Sequence, residues 1–246
     1  MTVPLPDPAR DAARMRAILL LAAAVIFPVA GYLVPFQGYA PDAFPVPQDR
    51  PPVQPAGFAF AIWGLIYLGL LAHAVWGLFA RADDPAWDRP RVALTASLIL
   101  GAGWTTLARG APILATVVIF VMLALALVAL RRAPRREALI ARGPLALYAG
   151  WLTAASFVSV GLVVGGYGLA GSDAGAALVV LPFAILAAAT VQWRLGRVPA
   201  YAAAAGWGLF GIAFANWPAQ PAVAALAGLG IAAVAVSLWR APSGAS

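Results

Sequence analysis

Eight runs of sixteen to twenty-three mostly apolar residues, broken by arginine, proline or glycine, dominate this chain. They are Met15 to Val34, Phe58 to Ala80, Arg91 to Ala108, Pro112 to Leu130, Pro144 to Gly165, Gly175 to Trp193, Ala200 to Ala215 and Pro221 to Trp239. A bilayer core of about 30 Å is crossed by about 20 apolar residues in a helix. The chain is 63% hydrophobic and 10% charged, and at 246 residues a soluble domain could not bury that much apolar surface. The expected fold is an all-α integral membrane protein with eight transmembrane helices. The first run follows arginines, as a signal peptide would, but its roughly 18 unbroken apolar residues exceed a signal core and are expected to stay as a helix.

All sixteen basic residues are arginine, giving a net charge of +7. With eight spans and a cytoplasmic N-terminus, only Arg50 and Arg109 fall outside and the other arginines fall inside. That asymmetry is the positive-inside pattern. The charge therefore reports topology rather than nucleic-acid binding, and both termini are expected in the cytoplasm. High Ala and Arg content without lysine points to a GC-rich bacterial genome, hence to the inner membrane.

Residues 35 to 57, PFQGYAPDAFPVPQDRPPVQPAG, are too proline-rich for a helix and long enough to cover the bundle mouth. They read either as a lid or as a spacer. Residues 131 to 143 carry five arginines and read as a topology determinant that touches anionic headgroups. Ala/Gly-rich stretches in the later spans, such as Tyr201 to Gly211, read as close-packing surfaces. No internal repeat supports a transporter built from two inverted halves.

No Asp or Glu lies inside any of the eight runs, which disfavours ion-coupled transport. Zero cysteines exclude disulfides and thiolate chemistry. Neither a catalytic set nor a metal site is expected, since a metal would have to be built around one histidine. That histidine, His73, has two readings: a ligand or proton-sensitive switch facing a bound molecule, or a neutral imidazole bonded to a neighbouring helix. Of nine tryptophans, Trp76, Trp193, Trp217 and Trp239 sit at span ends and Trp87 in a loop, where indoles anchor at the headgroup boundary. Trp63, Trp104, Trp151 and Trp207 lie inside spans and either pack the bundle or line a cavity. Phe60, Trp63 and Tyr67 follow spacings of three and four, which places them on one helix face.

Pro51 and Pro52, then Phe58 and Phe60, Trp63 and Tyr67, form a pattern similar to that of the tryptophan-rich sensory protein family, also called the translocator protein or peripheral benzodiazepine receptor (TspO/MBR) family. Trp104, and the set Tyr148, Trp151 and Ala155, resemble further motifs of that family in the same order. Gly101 and Ser159 stand where the family has asparagine, and Val158 stands where it has leucine. The resemblance covers residues 15 to 165 as a five-helix unit, with 1 to 14 and 241 to 246 as tails and 166 to 240 as three additional helices.

The resemblance implies a pocket beneath the first loop, formed by Phe58, Phe60, Trp63, Tyr67, Trp104, Tyr148, Trp151, Ala155 and Ser159. It implies a receptor or binding protein for a flat hydrophobic ligand such as porphyrin or haem, with a sensory or trafficking role and no obligatory cofactor. The alternatives are a facilitator of a lipophilic solute and an enzyme that degrades bound porphyrin. Expected partners are membrane lipid and a hydrophobic small molecule; a homodimer is compatible with this reading.

Overall fold

The structure is a computed structural model that describes residues 8–34, 39 and 43–242. Helix α1 spans Pro8–Leu33; after the first loop, a 3-10 turn at Gly57–Ala61 leads into α2, Ile62–Phe79. A short α3, Pro85–Asp88, precedes α4, Arg91–Gly110, and α5, Pro112–Arg132. Another short helix, α6 at Ala138–Ala141, leads into α7, Gly143–Gly166, followed by α8, Asp173–Leu195, α9, Pro199–Asn216, and α10, Pro221–Arg240. Eight of these are long, as the apolar runs predict, and the described residues contain no strand.

The boundaries follow from local chemistry. Proline occupies the first turn of α5, α7, α9 and α10, where its missing N–H leaves no helical bond unmade. The Ser172 hydroxyl accepts from the Gly175 N–H at 3.0 Å and caps α8. Helix α1 begins at Pro8, seven residues before the expected span, so the described part of the N-terminal tail is helical.

Seven of the long helices are apolar and long enough to cross a membrane. The eighth, α9, equals α2 in length and ends in the polar Asn216, and its 18 residues cover about 27 Å. Its first residue follows Arg197 at the arginine-rich end of the bundle. Its last, Asn216, bonds Pro52 in the first loop at the opposite end, so α9 runs the full depth of the bundle.

Helix α7 is central. More than half of its spanning window is buried, the largest share among the seven, because α5, α2, α8 and α9 all pack on it. Helices α1, α2, α4, α5 and α7 form a ring; α8 and α9 cover the outer side of α7, and α10 packs on both of them.

At the arginine-rich end, Arg91 does more than mark topology. Its buried guanidinium donates to the carbonyls of Ala13, Gly77, Arg81 and Ala82, each at 2.9 Å, joining α1 and the end of α2 to the start of α4. Arg14 pairs with Asp83 at 3.0 Å, and Arg16 with Asp88 at 2.6 Å. A charge buried there is tolerable because its N–H groups are bonded. Trp87, expected as a boundary anchor, is instead buried against His73 at a ring separation of 5.0 Å. Trp76, Trp193, Trp217 and Trp239 are exposed at helix ends, where anchors belong.

The described part of the first loop is not a loose spacer. Phe44 sits on Gly166 and Val53 on Gly161, positions where a Cβ would meet those side chains at 2.3 Å and 2.6 Å. Gln48 is buried and donates to Asp173 at 2.9 Å. This half of the loop is a fitted cover on the end of α7. Residues 35–38 and 40–42 of the proposed lid lie outside the described residues.

Candidate functional site

Under that cover, the five-helix ring surrounds a partly open cavity of about 550 Å³. Helix α2 contributes Trp63 and Tyr67, stacked at 5.3 Å with 21° between their planes, and Phe60 precedes them from the 3-10 turn. Helix α4 contributes Gly101, Trp104 and Thr105, and α5 contributes Ile119 and Met122. From α7 come Trp151, Ala155, Val158 and Ser159; Tyr39, Gln54 and Pro55 of the first loop form the roof. Rings and aliphatic chains therefore dominate the wall.

Seven of the nine sequence-predicted pocket residues line this space: Phe60, Trp63, Tyr67, Trp104, Trp151, Ala155 and Ser159. Phe58 does not. The tighter 3-10 turn at the head of α2 rotates it outward, and its ring packs on Trp207, Phe210 and Phe214 of α9 at 5.1 to 6.1 Å. Tyr148 lies beneath the cavity, fully buried, its hydroxyl 3.0 Å from Ser97 Oγ.

His73 does not reach the cavity either. Its Nδ1 lies 3.0 Å from the Ile140 carbonyl, which can only accept, so Nδ1 carries the proton. The second reading of this residue, an imidazole bonded to a neighbouring element, is the one the geometry supports. Its partner belongs to α6, on the far side of the bundle from the roof.

Sequence reasoning missed the contribution of α1. Phe27, Pro28, Gly31 and Tyr32 line the cavity, and the Phe27 ring makes edge contacts with Trp63 at 5.6 Å, Tyr67 at 5.2 Å and Tyr148 at 5.9 Å. These four rings close the floor. A proline inside α1 was the available signal, since Pro28 leaves the Ala24 carbonyl without its helical partner beside the cavity.

Polar groups are few and mostly committed. Trp104 Nε1 donates to the Ala115 carbonyl at 2.8 Å, fixing the indole between α4 and α5. Tyr39, Ser159 and Thr116 form a hydroxyl chain, with separations of 3.2 Å and 2.7 Å, that ties the roof to α7 and α5. Two buried groups of the wall have no partner among the described residues: the Trp151 indole N–H and the Thr105 hydroxyl. Both atoms are fully buried, so neither presents its polar group to the cavity space.

A membrane bundle of eight long helices with a large aromatic cavity under a fitted loop defines a membrane protein of the binding or transport type. The model of the TSPO-like protein family matches residues 16–239, and the chain belongs to that family. The match runs through all eight long helices and so includes α8, α9 and α10. Neither a curated protein nor a solved structure matches the chain.

Proposed function

We propose that this protein binds a flat hydrophobic molecule, a tetrapyrrole such as protoporphyrin or haem, and serves in its sensing or trafficking. The observation that carries the reading is the cavity itself. Its volume of about 550 Å³ falls within the usual range for sites that bury a small molecule. Trp63, Tyr67, Trp104 and Trp151 offer ring faces and edges, each contact contributing about 0.5 to 1.5 kcal/mol beyond burial.

The ring contacts of Phe27 with Trp63, Tyr67 and Tyr148 in the floor support holding over passage, and so binding over facilitated transport. An enzyme degrading the pigment finds less support, because among the described residues the cavity wall carries no carboxylate or imidazole to move protons. Titration of the purified protein with protoporphyrin IX and with haem tests the proposal. Saturable binding that competes between the two supports it; linear, unsaturable uptake rejects it.

A further inference from the structure

The last three helices look remote from the cavity, since no residue of α8, α9 or α10 lines it. Helix α9 nevertheless grips the segment that forms its roof. The Asn216 side-chain amide donates to the Pro52 carbonyl at 2.7 Å, and the Trp207 indole donates to the Ala59 carbonyl at 2.8 Å. Between them, the Ala56 N–H donates to the Gly211 carbonyl at 3.0 Å. The bonded residues, Pro52, Ala56 and Ala59, bracket Gln54 and Pro55, which face the cavity, and lead directly into Phe60 and Trp63.

These bonds are not incidental surface contacts. Asn216 is buried, and its amide also donates to Ile212 in its own helix at 2.8 Å, which fixes its orientation. At Gly211 a Cβ would lie 2.7 Å from Ala59 and 2.9 Å from Pro55, so the helix and the turn are already at their closest approach. Residues 52 to 59 lie outside any α-helix and make only a few turn bonds of their own, such as Gln54 N–H to Pro51 and Ala59 N–H to Ala56, so their other backbone groups take partners from elsewhere. Helix α9 supplies three.

We infer that Trp207 and Asn216 are positioning residues for the binding cavity, setting the height and angle of its roof and of the ring pair Phe60 and Trp63 from outside the five-helix ring. The inference rests on the proposed binding role for its ligand arm only. The three C-terminal helices then belong to the site as its backing.

The test uses the full chain in lipid nanodiscs with Trp207→Phe, Asn216→Leu and, as a control of similar core cost, Val234→Ala in the distant part of α10. One arm reads protoporphyrin IX affinity and the induced circular dichroism of its strongest band. Each α9 variant is expected to weaken binding about 3- to 10-fold, as loss of one hydrogen bond would, and to change the dichroism; Val234→Ala is expected to change neither. The other arm needs no ligand. The chain has no cysteine, so Gln54→Cys carries a single spin label on the roof. Label mobility is expected to rise in both α9 variants and not in the control. Unchanged mobility in the α9 variants would overturn the inference. A parent protein that fails to bind protoporphyrin saturably would instead sink the ligand reading, and the label would still decide whether α9 positions the roof.

Discussion

The Phe27 ring occupies the space that a side chain at position 101 would need: a Cβ on Gly101 would lie 2.6 Å from it. This pair explains one departure from the family pattern. The asparagine expected there is absent, and an aromatic ring from α1 fills its place in the cavity floor. Gly101→Ala is therefore expected to push Phe27 upward, shrink the cavity and destabilise the fold by about 1 to 3 kcal/mol. Thermal unfolding in detergent measures the second effect and porphyrin affinity the first.

Tyr39 ties the roof to the wall through Ser159 and Thr116. Tyr39→Phe cuts that chain while leaving the ring in contact with Phe44. Ligand dissociation, followed by stopped-flow chase, is expected to quicken severalfold with little change in melting temperature. An unchanged rate would show that the hydroxyl chain does not restrain the roof.

The eight long helices were legible because their ends are written in proline and arginine and their interiors are mostly apolar. The face Phe60, Trp63 and Tyr67 was equally legible, because spacings of three and four survive in a regular helix. Phe58 was not, since the 3-10 turn after Pro55 changes the angular step just where the motif begins. Phe27 was hidden for another reason: one ring in an aliphatic run looks like any lipid-facing residue until the partner helices are placed. Trp207 and Asn216 were missed because their partners are backbone carbonyls, which no side-chain pattern announces.

A pH dependence is expected at the arginine-rich end. Arg81 bonds the Glu137 carboxylate, in part through Nε to Oε2 at 3.1 Å, and this hydrogen bond holds the carboxyl below its ordinary value of 4.5. A lowered folded-state pKa means that the contact stabilises the fold above about pH 4.5 and that the effect is lost as pH falls through the lower, folded value. Solvent screening keeps it small at this partly exposed site. The melting-temperature difference between parent and Glu137→Gln should be largest near neutrality and vanish in acid; a difference that grows in acid would reverse the assignment.

The cavity as a binding site is tested most directly by tryptophan-fluorescence titration of the nanodisc-embedded protein with protoporphyrin IX. Parent, Trp63→Ala and the exposed-end variant Trp239→Ala are compared. Saturable quenching in parent and Trp239→Ala, weakened about tenfold or more in Trp63→Ala, is the predicted result. Equal affinity in all three, or quenching that never saturates, would contradict it.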